Sequence, residues 1–163
     1  MTIHLIVGAT GAGKSTFARH LAQEKNGIIF GSDDWLNTLF VPDGPPKDFW
    51  PWALERVDRC ETQMWKVAIN LLKKGVPVIM DINMMNRASR ERQLERAKAT
   101  GFSHQIHYLE VDRETRWQRV SNRNLEKGIT YSFPVPRAFF DFVETVIELP
   151  LPEELIGANI VRS

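Results

Sequence analysis

The stretch GATGAGKST, Gly8 to Thr16, lies between the apolar run IHLIV and the helix-like segment FARHLAQEK. Gly8, Gly13, Lys14 and Ser15 fit the pattern G-x-x-x-x-G-K-[ST], after a strand and at the opening of a helix, where its mechanism demands it. Glycines let backbone N–H groups wrap around phosphate oxygens without Cβ clashes, and the helix N-terminus adds a positive potential. The residues Gly8, Ala9, Thr10, Gly11, Ala12, Gly13, Lys14, Ser15 and Thr16 are therefore expected to cradle a nucleotide. Lys14 would reach the β and γ phosphates and the Ser15 hydroxyl would ligate Mg²⁺.

Such a loop needs a parallel strand before it, and the rest of the chain supplies more. Short apolar runs predict strands at 3–7, 27–32, 76–82, 104–111 and, more weakly, 158–162. Helical patterns fill the gaps. Val57, Cys60, Met64, Val67 and Leu71 recur along 52–74, which closes on Lys73, Lys74 and Gly75. Asn83 or Asn86 caps a helix running to about Thr100, and Arg113–Glu126 and Arg137–Ile147 give two more. The stretch 41–51, VPDGPPKDFWP, is too rich in Pro and Gly for regular structure. This order predicts an α/β fold of three layers, a P-loop NTPase of the kinase type with a parallel five-stranded sheet. At 163 residues, 43% of them hydrophobic, the chain is expected to form a single domain over 1–163.

Composition narrows the setting. One cysteine, Cys60, offers no internal disulfide, and no apolar stretch approaches the roughly 20 residues of a membrane span, so a soluble cytoplasmic protein is expected, with no membrane partner. Its oligomeric state is not legible. The net charge of +1 hides an uneven layout: residues 87–137 hold 11 basic and 6 acidic side chains, residues 138–163 hold 1 and 5. The basic segment reads either as solvated helix faces or as a surface that meets phosphate.

What happens to the phosphate depends on other residues. The Asn-Lys-x-Asp tetrad that reads guanine is missing, so ATP is the expected nucleotide, and the length leaves no room for the lid domain of a ring-forming ATPase. A small kinase needs a carboxylate near the γ phosphate and a cationic lid. Asp33 and Asp34 follow the second strand, at the crevice that the phosphate loop also faces. Asp33 is the expected base, and Asp34 reads also as an N-cap for WLNTLF. Asp81, ending the third strand, would hold the metal with Ser15, or cap the following helix. Over 113–130, Arg116, Arg119, Arg123 and Lys127 are spaced to share one helical face, a candidate lid. Arg87, Arg90, Arg92 and Arg96 alternate with Glu91 and Glu95 and read as an exposed, salt-bridged surface.

GATGAGKST, SDDW, IMDINMMNRASR and RWQRVSNRNLEKG, in that order, resemble the kinase domain of phage-type polynucleotide 5′-kinases and their relatives, the zeta toxins and chloramphenicol phosphotransferase, over about residues 1–130. The resemblance implies Lys14 and Ser15 on ATP and Mg²⁺, Asp33 as general base, Asp81 near metal or acceptor, and a lid contact to phosphate just before Gly128. That last position is Lys127 where the family has arginine, which passes the bidentate role to Arg119 or Arg123. Leu36 stands where polynucleotide kinases carry an arginine that engages the nucleic-acid end. A small-molecule or nucleoside-like acceptor is therefore favoured, and a polynucleotide 5′-hydroxyl or a non-catalytic ATP-binding module is the alternative. Phe139, Phe140, Phe142, Val143 and Val146 read as core packing. Phe49, Trp50 and Trp52 read as a clasp over the long helix or as a stacking surface for the acceptor.

Overall fold

A computed structural model of the chain describes residues 1–126 and 134–162. Five strands, β1 (Thr2–Val7), β2 (Ile28–Gly31), β3 (Val78–Asp81), β4 (Ser103–Glu110) and β5 (Asn159–Arg162), form one parallel sheet in the order β2-β3-β1-β4-β5. The apolar runs produce strands because both faces of the sheet are covered. Ile3, Leu5, Val7, Val78 and Met80 pack against α3 (Phe49–Lys73) and α4 (Arg87–Ala99), through Met64, Trp65, Leu72 and Ala97. On the other face Ile6, Ile79 and Leu109 meet α1 (Lys14–Lys25) through Ala18 and Leu21. The register pairs Leu5 with Met80, Gly31 with Asp81 and Val7 with Tyr108, so the carboxyl ends of β1, β2 and β3 open onto the same edge.

The helix boundaries correct several expectations. The long helix starts at Phe49, inside the stretch expected to be irregular, and a 3₁₀ turn covers Val41–Asp43. Pro51 is tolerated because it falls in the first turn, where its missing N–H has no carbonyl to meet. Val67 is not on the buried stripe of α3, which runs through Val57, Cys60, Glu61, Met64, Trp65, Ala68 and Leu72. Nor does Asp34 cap a helix: α2 (Ser32–Leu39) already begins at Ser32, with Gly31 as its cap residue, and both Asp33 and Asp34 sit in its first turn. Asn86 is the cap of α4, accepting from Ser89 N at 2.8 Å while Ser89 Oγ accepts from Asn86 N at 3.1 Å.

The charge asymmetry resolves into ion pairs between the basic middle and the acidic tail. Arg90 is buried, contrary to its expected exposure: Nε and Nη2 reach the two oxygens of Glu154 at 2.7 and 2.9 Å, and Nη1 donates to Glu148 O at 2.6 Å. On α5 (Arg113–Glu126), Arg113 reaches Asp141 at 2.6 Å, on α6 (Arg137–Val146). Arg87 does pair with Glu91 at the surface, at 2.8 Å, while Arg92 and Arg96 lie 3.8 and 4.0 Å from Asp58. The residues expected to pack from α6 divide: Phe140 and Val143 are core, Phe142 is exposed.

Three strands are also joined by a polar chain inside the sheet. Asn159 Nδ2 lies 3.1 Å from His107 Nδ1, and His107 Nε2 lies 3.0 Å from His4 Nδ1. With the amide donating, His107 carries its proton on Nε2 and passes it toward His4, so both rings are neutral. Burial lowers the pKa of His107 to about 4, helped by His4 and Lys25, and burial lowers that of His4 as well. An unfolded histidine binds its proton near pH 6.5, so this contribution is complete above that value and is lost as pH falls toward 4. Between pH 7 and pH 5 the folded state is expected to lose about 2 kcal/mol through His107 alone. Denaturant titrations at both pH values should show a clearly smaller loss in His107→Gln; equal losses in the two proteins would refute the assignment.

Candidate active site

The phosphate loop is built on two left-handed glycines and two close approaches. Gly11 has φ +82°, and a Cβ there would lie 2.5 Å from Arg116 O; Gly13 has φ +93° where α1 begins. At Gly8, φ is ordinary but a Cβ would meet Leu109 O at 3.2 Å. Glycine is required at 11 and 13 by conformation, and at 8 a side chain would press on the neighbouring strand. Ala9 and Ala12 have buried side chains and face the protein instead of the cleft. Lys14 Nζ reaches Ala9 O at 3.3 Å, and the Ser15 hydroxyl donates to Asp81 Oδ2 at 2.8 Å.

Lys14, Ser15, Thr16, Asp33, Asp81, Arg119 and Arg123 line one cleft of about 400 Å³, together with Gly8, Thr10, Gly11 and Gly13. Parallel register explains the meeting: Gly31 is level with Asp81, and two further residues bring Asp33 over the end of β3. Asp33 is exposed to solvent as a residue, while its carboxyl lies within the crowded lining of the cleft. That burial, reinforced by the Asp81 carboxylate and opposed by Lys14 and Arg123, raises its pKa above the usual value. Arg119 Nη1 donates to Ala12 O at 3.4 Å. Lys127 lies outside the described residues.

Arg116 does not join the basic face expected of it. Its buried guanidinium clamps the loop from behind, donating to Thr10 O at 3.2 Å, to Val111 O at 3.1 Å and bidentately to Glu144 at 2.6 and 2.8 Å. One side chain thereby ties the phosphate loop, α5 and α6 together. A pair this enclosed adds little over apolar packing, but removing one member strands the other.

Glu61 is the residue whose signal was present and unread, an acid on the apolar stripe of the long helix. It is fully buried and accepts from Asn83 N at 2.7 Å and Gln93 Nε2 at 2.6 Å, while Trp65 Nε1 donates to Gln93 Oε1 at 2.8 Å. Burial raises its pKa, against the bonds from Asn83 and Gln93. Since Asn83 is two residues after Asp81, Glu61 fixes the backbone that leaves the cleft's second carboxylate.

Beyond Asp33 the cleft continues between apolar walls. Leu36 comes from α2, and Phe49, Trp50 and Leu54 from the first turns of α3. Met84 and Met85 follow β3, and Phe139, Val143 and Ile147 close the far side. The segment after α6 is held there by Glu148 N, which donates to Met85 O at 2.9 Å. Trp50 stands edge-on to Phe142, 5.4 Å between centroids, and 5.8 Å from Phe139. Trp52 turns away to stack under Arg56 at 4.3 Å, so only Phe49 and Trp50 of the three aromatics face the cleft.

Sheet order, loop and cleft together define a nucleotide-binding protein with the P-loop kinase fold. Residues 3–150 match the model of the AAA domain family, and the chain belongs to that family. Among solved structures, a provisionally assigned kinase from Chloroflexus aurantiacus superimposes with a TM-score of 0.73 at 16% identity, covering 99% of this chain and 84% of the other. Kti12 from Chaetomium thermophilum, solved with ADP-AlF3, gives 0.68 at 16% identity, with 99% and 88% covered. A gluconokinase from Sinorhizobium meliloti gives 0.60 at 17%, with 99% and 82% covered. At such identities the likeness is one of fold. Comparison with curated protein sequences finds no match. No helix among the described residues is long and apolar enough to cross a membrane.

Proposed function

We propose that the protein is an ATP-dependent phosphotransferase, one domain over 1–163, that moves the γ phosphate of ATP to a hydroxyl of a small-molecule or nucleoside-like acceptor. The observation that carries the reading is the placement of the Asp33 carboxyl in the same cleft as Lys14, Ser15 and Asp81. An acceptor hydroxyl placed beside Asp33 gives up its proton there while its oxygen attacks the γ phosphorus, and the bond to the β-phosphate oxygen breaks to release ADP. Lys14 spans the β and γ phosphates, and Arg119 and Arg123 approach the transferring group from α5, the described part of a lid over 113–130. The residues fit Mg²⁺, since a hydroxyl and a carboxylate oxygen meet at 2.8 Å beside the phosphate loop, a ligand set that phosphates and water complete. When bound, the ion would neutralise charge on the β and γ oxygens.

A polynucleotide 5′-hydroxyl kinase ranks second, because Leu36 and its neighbours put an apolar surface where a nucleic-acid end needs cations. A non-catalytic ATP-binding module ranks third, since binding alone has no use for Asp33. The test is ADP formation with ATP and Mg²⁺ across nucleosides, 5′-hydroxyl oligonucleotides, sugars and aminated antibiotics. Acceptor-dependent ADP release with a matching phosphomonoester is expected; slow hydrolysis indifferent to every acceptor would favour the module.

A further inference from the structure

From the division of the cleft into a charged end and an apolar end, we infer that the acceptor is an apolar alcohol: a single ring or branched alkyl group bearing one hydroxyl and no charge. The inference rests on the phosphotransferase reading and names its substrate class. Every charged side chain among the described lining residues, Lys14, Asp33, Asp81, Arg119 and Arg123, belongs to the phosphate end. Past Asp33 the described wall is Leu36, Trp50, Leu54, Met85, Phe139 and Ile147, among which no side chain is charged or hydroxyl-bearing.

This wall discriminates by what it leaves unpaired. A sugar or sugar acid has a hydroxyl on nearly every carbon, more than the Trp50 indole N–H and the Asn83 amide can meet, and each one left unpaired in the apolar end costs roughly tenfold or more in affinity. A nucleic-acid end adds phosphates that no cation on the described wall meets. An aryl or alkyl group has neither liability, and Trp50 and Phe139, an edge-to-face pair with centroids 5.8 Å apart on the cleft wall, offer aromatic surface to a further ring. Two methionines, Met84 and Met85, give the floor a shape that adjusts to the ring. With the ring seated there, its hydroxyl points back to Asp33, the carboxylate that borders the apolar end. The oxygen bonds to the γ phosphorus, the bond to ADP breaks, the proton passes to Asp33, and the products are ADP and the phosphate monoester.

The test uses the full chain with Mg²⁺ and a non-hydrolysable ATP analogue for binding, and with ATP for transfer followed by phosphorus NMR. The acceptors are 3-phenylpropan-1-ol and cyclohexylmethanol against gluconate and a 5′-hydroxyl dinucleotide. The apolar alcohols are expected to bind at least tenfold more tightly than either polar acceptor and to yield phosphate monoesters. Trp50→Ser should weaken phenylpropanol at least tenfold. Leu54→Lys, at a position 37% exposed and so tolerant of a charge, should do the same, with the analogue titration reporting whether the phosphate end of each variant is intact. Tighter binding of gluconate or the dinucleotide, or unchanged phenylpropanol affinity in both variants, would overturn the inference and leave the kinase reading standing. Selective binding of the alcohols without transfer to any of them would support the ligand class and sink the kinase reading instead.

Discussion

Lys14→Ala is expected to lower phosphoryl transfer by at least about 10³-fold, the upper range for removing one group that stabilises developing charge. In the proposed reaction the amine would span the phosphates whose shared oxygen takes up negative charge as the bond breaks, and neither Arg119 nor Arg123 stems from the phosphate loop. Nucleotide affinity should fall as well, because the same contact exists before the reaction. Folding should be nearly unaffected: the side chain's one described bond is the 3.3 Å contact to Ala9 O. Thermal melting with and without ATP separates the effects. A variant that melts like the parent but no longer gains stability from ATP is the expected result, and unchanged turnover would end the kinase reading.

Asp33→Asn should leave affinity for an ATP analogue within a few fold while transfer falls by roughly 10²- to 10⁴-fold, the usual range for a positioned proton acceptor. A loose transition state needs less help from a base, which favours the lower end. Because burial and Asp81 raise the pKa of Asp33 in the free protein, the acid limb of kcat/KM at low nucleotide, which reports the free protein, should lie above the ordinary carboxylate range, since only the ionised form accepts the proton. The limb should vanish in Asp33→Asn. Asp34→Asn is the control: its carboxylate favours the first turn of α2 through the helix dipole, and its loss should cost under about 1 kcal/mol of stability. Loss of transfer in the Asp34 variant alone would reverse the assignment.

The sheet was legible because its central strands β1 and β3 are apolar runs covered on both faces, and the meeting of Lys14, Ser15, Asp33 and Asp81 was legible because each ends a strand or follows its carboxyl end by a short loop or turn. What escaped depends on partners far along the chain. Arg116 pairs with Glu144, 28 residues away, and Arg90 with Glu154, 64 away, so the local pattern around either arginine looks like a solvated face. Helix α4 misleads for the same reason: its buried side presents Ser89, Arg90 and Gln93, which no apolar periodicity marks. Glu61 sits among Val57, Met64 and Trp65 as an interruption, and only Asn83 and Gln93 explain why a carboxylate belongs there. The cleft's apolar end is assembled from α2, α3, α6 and the loop after β3, a juxtaposition no single stretch announces.

The Arg116 clamp also decides which parts of the molecule open together. Its guanidinium holds Thr10 of the phosphate loop and Glu144 of the helix that walls the apolar end, so neither can swing outward without abandoning a charged bond in a poorly hydrated place. In amide hydrogen exchange the loop and α6 should therefore behave as one cooperative unit, though more than 120 residues separate them in the chain. Nucleotide bound at the loop would slow exchange in the helix that faces the acceptor, and the two substrates would communicate through rigidity alone, with no change of shape.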